Sequence, residues 1–77
     1  LNRLEESVEA YEEAIRLNKN YLFAYLGLGN SLYKLGREEE ALEAYKKFLA
    51  LADKNVYADL IKQIEKIIKE LEKQSST

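Results

Sequence analysis

Hydrophobic residues recur at every third or fourth position along most of the chain, which is the spacing of one face of an α-helix. Over residues 3–17 the apolar side chains fall on one such face, and the glutamates lie outside it. Asn18 and Asn20 then interrupt the pattern, and asparagine favours turns because its side chain bonds to nearby backbone groups. The pattern predicts a first amphipathic helix that ends near residue 17.

Three further helices are predicted after this turn. Residues 22–35 are apolar on nearly all sides, which is typical of a helix that lies between neighbours. Gly36 follows them, and a residue without Cβ most easily adopts the left-handed conformation that ends a helix. Three glutamates at 38–40 indicate the start of a third helix, because carboxylates favour the positive end of the helix dipole. The polar residues 53–55 predict its end, and a fourth helix is expected over about 57–73.

The composition supports an all-α fold and excludes most catalytic chemistry. Proline is absent, and strong helix formers dominate. A chain of 77 residues forms one small domain, in which a deep catalytic pocket is not expected. The chain contains no His and no Cys, so thiolate nucleophiles, Cys/His zinc sites and imidazole-based catalysis are excluded. The sequence predicts a protein that is not an enzyme, with no catalytic residue, metal or cofactor.

The charge balance bears on partners and location. Twelve basic and 14 acidic residues give a net charge of −2, which is too even for a dedicated nucleic-acid or membrane binder. Neither a long apolar run nor a signal-peptide pattern occurs, so a cytoplasmic location is expected. The glutamate clusters are expected to be solvated, because adjacent residues on a helix diverge by about 100 degrees and cannot share one ion.

An offset of 34 residues superimposes the first predicted helix on the third. Eight residues recur unchanged at this offset, so the two helices are copies of one segment. These residues are Leu1, Arg3, Glu5, Glu6, Glu9, Ala10, Tyr11 and Leu17, which recur as Leu35, Arg37, Glu39, Glu40, Glu43, Ala44, Tyr45 and Leu51.

A helix-turn-helix unit with this period resembles the tetratricopeptide repeat. The resemblance implies antiparallel helix hairpins, four helices in all, stacked as a short solenoid. Gly29 and Ala41 are small where the two helices of the repeat must cross closely. The positions that match the family's pattern are Tyr25, Leu28, Gly29, Leu32, Gly36, Ala41, Tyr45 and Phe48.

The resemblance divides the chain into three parts. Residues 1–21 resemble the second helix of a partial repeat, and residues 22–55 form one complete repeat. Residues 56–77 depart from the repeat's phase, so we expect a C-terminal capping helix and a frayed tail there. A turn that is one residue longer restores most of the contacts of this helix. Because the chain opens inside a repeat and begins with Leu, we expect it to be a piece of a longer protein.

The resemblance also implies a function, since repeats of this family bind peptides or helices on a concave surface lined by the first helix of each repeat. Gly27 and five larger residues of the second helix point away from its main packing side or to its edge. Exposing Phe and Leu there costs roughly 1.5–3 kcal/mol each, which suggests a peptide-binding site unless a missing repeat or the last helix covers them. Leu26 and Gly27 stand where the family's chaperone-binding members carry polar residues, so chaperone tails are not the expected ligand. The predicted site comprises Phe23, Leu26, Asn30, Tyr33 and Lys34.

The alternative function is structural: self-assembly into a homo-oligomer through exposed faces of the first and last helices, or a place in a longer solenoid of such repeats. Four apolar residues of the last helix have the spacing of a short heptad seam, which could join two copies. The lysines on its opposite side are expected to form an ordinary solvated face. The seam residues are Leu60, Ile64, Ile67 and Leu71.

Overall fold

The computed structural model describes residues 3–75, and every regular element in that range is a helix. The helices are α1 (Arg3–Leu17), α2 (Leu22–Lys34), α3 (Glu38–Leu51) and α4 (Ala58–Ser75). Each boundary lies within two residues of its predicted position, so the all-α fold with four helices is confirmed. Part of the predicted frayed tail, residues 76–77, lies outside the described residues.

The turn after α2 is built around Gly36, as predicted. Its φ of 79° lies in the left-handed region, where a side chain would be strained. The N–H of Gly36 donates to the carbonyl of Tyr33 at 3.1 Å, and the N–H of Arg37 donates to the carbonyl of Leu32 at 2.9 Å. This pair of bonds satisfies carbonyls that the helix end leaves open. The chain therefore reverses within three residues, and α3 returns against α2.

The core lies where α2 meets α3. Tyr45 and Phe48 of α3 are fully buried, and Ala41 has no exposed surface. The ring of Tyr45 rests on Gly29 of α2, where an added Cβ would lie only 2.7 Å from the Cδ1 atom of the ring. The small residues at 29 and 41 thus allow the close crossing that the resemblance implied.

The packing of α1 on α2 corrects one prediction. Gly27 does not point away from the packing side of α2, because a Cβ at this position would overlap the ring of Tyr11 in α1. A helical wheel places Gly27 on the solvent side when α2 is assumed to pack on a single neighbouring helix. In the structure α2 lies between α1 and α3, so its surface has two packing sides.

The connection from α3 to α4 explains the shifted phase of the last helix. The Oδ1 atom of Asp53 accepts bonds from the N–H groups of Val56 at 3.0 Å and Asn55 at 2.8 Å. Asn18 has the same role before α2, where its Oδ1 accepts the N–H of Asn20 at 3.1 Å. These two acceptors are 35 residues apart, one more than the repeat period. The connection before α4 comprises residues 52–57 and the one before α2 residues 18–21, so the last connection is longer, as predicted, but by two residues instead of one.

The apolar face of α4 points into the protein. Ile64 and Leu71 are 3% and 2% exposed, and Leu60 and Ile67 are half-buried against the core. The prediction that these residues form a seam between two copies is therefore wrong. Their heptad-like spacing serves the packing of α4 on α3 within one chain.

Candidate functional site

Phe23 is the most prominent apolar side chain on the open side of α2. It is 45% exposed, and its ring contacts Tyr57 edge to face, with centroids 5.6 Å apart and an interplanar angle of 84°. Tyr57 directly precedes α4, so the connection before the last helix covers one flank of Phe23, and the ring remains partly exposed. Tyr57 is not among the predicted site residues, because its contact with Phe23 depends on the length of the 52–57 connection.

Leu26 follows one turn later and has a double role. It is half-buried and packs against the core, so only part of its surface is available to a ligand. Removing its side chain would therefore destabilise the fold as well as change the surface. Phe23 is the better residue for testing ligand binding.

Asn30 lies on the same side of α2 and is held by a buried partner. The hydroxyl of Tyr45 donates to the Oδ1 atom of Asn30 at 2.6 Å. Burial raises the pKa of Tyr45 to about 12, so the hydroxyl remains a donor at neutral pH. With its oxygen engaged in this bond, the exposed side chain of Asn30 has its two N–H donors left for a ligand.

Tyr33 and Lys34 complete the row at the carboxyl end of α2. Tyr33 is 38% exposed, and Lys34 is also exposed. The row therefore runs from an aromatic ring through an amide to an ammonium group over about 16 Å of helix. We call it the α2 surface, and it consists of Phe23, Leu26, Asn30, Tyr33 and Lys34.

The glutamates of the acidic clusters are exposed to solvent. The guanidinium of Arg37 binds both carboxylate oxygens of Glu40, at 2.9 and 2.7 Å, and this contact lowers the pKa of Glu40. Arg16 lowers the pKa of Glu13 in the same way. Within residues 3–75 no group of three carboxylates is placed to hold a metal ion, and no helix is long and apolar enough to cross a membrane.

Comparison with known proteins gives consistent matches over residues 1–55. A family model described as "TPR repeat" matches residues 1–36, and one described as "Tetratricopeptide repeat" matches residues 22–55. No solved structure matches the chain significantly.

Two curated proteins are similar to the chain. The "Small glutamine-rich tetratricopeptide repeat-containing protein 2" of Saccharomyces cerevisiae is 35% identical over 72 residues, which cover 94% of this chain and 21% of that protein. The human "Tetratricopeptide repeat protein 6" is 39% identical over 49 residues, which cover 64% of this chain and 9% of that protein. The chain thus spans about a fifth or less of the length of these relatives.

Proposed function

The chain belongs to the tetratricopeptide repeat family, whose repeats form protein-interaction modules, and we propose that it binds a peptide or helix over the α2 surface without catalysing a reaction. In this proposal residues 1–21 belong to a partial repeat, residues 22–55 form the complete repeat, and residues 56–77 cap the stack. An intracellular location is part of the same proposal.

The exposed aromatic ring of Phe23 is the observation that carries the proposal. A phenyl group that is 45% exposed, braced on one flank by Tyr57, offers an apolar wall against which a ligand side chain can pack. Burying apolar area there would contribute about 25 cal/mol per Å² to binding. Aromatic residues of this kind dominate the energetics of many protein interfaces.

The polar end of the α2 surface determines which ligand groups fit. Asn30 has its N–H donors available, and Lys34 lies one turn further along the same face. Both residues bind hydrogen-bond acceptors, and Lys34 favours a negative one. The ligand that we propose therefore has a large apolar side chain near Phe23, followed by a backbone carbonyl and a carboxylate.

Selection of binding peptides from a random phage-displayed library tests this function. We expect enriched peptides to combine a large apolar residue with an acidic one. Their affinity should fall at least tenfold on Phe23→Ser, and also on Asn30→Asp, which keeps an acceptor for Tyr45 but removes both donors. Leu17→Ser is the matched control, because Leu17 is an exposed leucine outside the α2 surface and its loss should leave binding unchanged.

Two results would contradict the proposal. One is a library that yields no peptide above the bare support, and the other is a set of selected peptides that binds the Phe23→Ser chain as well as the original one. Either result would mean that the α2 surface is not the ligand site.

A further inference from the structure

A second surface lies between α3 and α4, where a groove of about 610 Å³ opens to solvent. Leu49 and Ile68 provide its apolar part. Two glutamates also line it, and one of them, Glu72, pairs with Lys46 at 3.2 Å. Lysines predominate among the charged groups that line it, so the groove is apolar inside and basic at its edge: Lys46, Lys62, Lys66 and Lys69.

The internal repeat indicates what this groove accommodates. Its α3 residues, Lys46 and Leu49, correspond at the 34-residue offset to Glu12 and Ile15 of α1. Those two residues line two surface grooves whose opposite wall is formed by residues of α3. By the repeat, the groove between α3 and α4 is thus equivalent to the grooves beside α1, whose opposite wall is a helix of the α3 kind.

The chain carries a second helix of this kind, since α1 is the repeat copy of α3. In α3, the residues that line the grooves beside α1 include Glu40, Glu43, Lys47 and Leu51. The corresponding residues of α1 are all exposed, and Leu17 is 73% exposed. The outer row of α1 consists of Glu6, Glu9, Glu13 and Leu17.

Charge complementarity favours an α1 helix over other possible occupants of the groove. The outer row of α1 presents three carboxylates, one of which pairs with Arg16, whereas the groove presents four ammonium groups and two carboxylates around an apolar floor, so the two surfaces are oppositely charged on balance. Opposite charges across an interface favour one partner and one register. We propose that a second copy of this chain places its α1 in the groove between α3 and α4, so that copies stack head to tail.

The proposed contact has properties that can be measured. A head-to-tail contact joins different surfaces of the two copies, so each assembly keeps one free groove and one free α1 at its ends. Further copies can therefore add as the concentration rises. Since the charged groups of the contact lie near solvent, added salt should weaken the association. The α2 surface lies outside the contact, so its ligand binding and the self-association can fail separately.

Sedimentation velocity of the chain over a wide concentration range tests the proposal. We expect the mean mass to rise with concentration and to fall when salt is added. One variant, Glu9→Lys with Glu13→Lys, reverses the charge of α1, and another, Lys62→Glu with Lys66→Glu, reverses the groove. Each variant alone should remain monomeric, but an equimolar mixture should assemble because each reversed surface meets an opposite one.

A matched control changes the charge equally outside the groove. Lys19→Glu with Lys54→Glu should assemble like the original chain at the same salt concentration, because both lysines are exposed and neither lines the groove. Circular dichroism checks that each variant is folded. If a charge-reversed variant is not folded, Gln replacements at the same positions take its place.

Three results would overturn the proposal. These are an original chain that is monomeric at all concentrations, charge-reversed variants that assemble like the original chain, and a mixture of the two variants that fails to assemble. A monomeric chain that binds polyglutamate at the groove would assign this surface to an acidic partner instead of a second copy.

Discussion

The contact between Gly29 and Tyr45 allows a stability prediction to be worked out from distances. An added Cβ at Gly29 lies 2.7 Å from Cδ1 and 2.8 Å from Cε1 of Tyr45, whereas ordinary contact begins at 3.4 Å. The two helices must therefore separate locally by 3.4 minus 2.7, or 0.7 Å. The ring cannot move aside easily, because it is fully buried and its hydroxyl is bonded to Asn30.

Gly29→Ala should consequently destabilise the fold. Overpacking of a core costs about 1–3 kcal/mol, and the immobile ring places this site at the upper end, near 3 kcal/mol. The higher helix propensity of alanine offsets about 1 kcal/mol of this cost. We expect a net loss of about 2 kcal/mol in the free energy of unfolding, which for a chain of this size lowers Tm by roughly 8–16 °C.

Urea unfolding followed by circular dichroism measures this loss, and Gly27→Ala provides the comparison. At Gly27 the added Cβ overlaps only the outer part of the Tyr11 ring, and Tyr11 is half-buried and can swing away. Its effect should remain within about 1 kcal/mol, because the propensity gain offsets the rearrangement. A Gly29→Ala chain as stable as the original, or a larger loss for Gly27→Ala, would refute this account of the core.

Three further predictions concern single residues. Gly36→Ala should cost about 1–2 kcal/mol, seen as a lower urea midpoint with an unchanged slope, because alanine is strained at a φ of 79°; no loss would contradict the role of this turn. The backbone N–H groups of Val56 and Asn55 lower the pKa of Asp53, so its stabilisation is complete above the ordinary pKa of an aspartate and is lost as the pH falls through the lowered value. Asp53→Asn keeps an acceptor but does not titrate. Its melting temperature should therefore fall less steeply with decreasing pH than that of the original chain, and identical slopes would contradict this. Burial raises the pKa of Tyr45 to about 12, so Tyr45→Phe should remove a phenolate transition near pH 12 from the absorbance titration, and an unchanged titration would contradict the buried hydroxyl.

Local signals explain why the sequence predicted the helices so closely. The turns at Asn18, Gly36 and Asp53 each end or begin a helix through bonds between residues at most five positions apart, so their effects can be predicted from neighbouring residues alone. The internal repeat then fixed which helices are equivalent. Both the turn residues and the internal repeat can be recognised in the sequence without any knowledge of tertiary contacts.

The candidate site was harder to predict because its details depend on contacts between distant residues. Phe23 and Tyr57 meet only because the connection before α4 has the length it has. Gly27 was misplaced because a helical wheel does not show that α2 has a neighbour on two sides. The hydroxyl of Tyr45 reaches Asn30 across the hairpin, which the spacing of either helix alone does not indicate.

The most direct test of the proposed function is to map where a selected peptide binds. A ¹⁵N-labelled chain is titrated with the peptide, and the backbone amide shifts are followed residue by residue. The account predicts that the largest shifts lie along α2 from Phe23 to Lys34 and at Tyr57. Shifts concentrated on α1, or in the groove between α3 and α4, would contradict it.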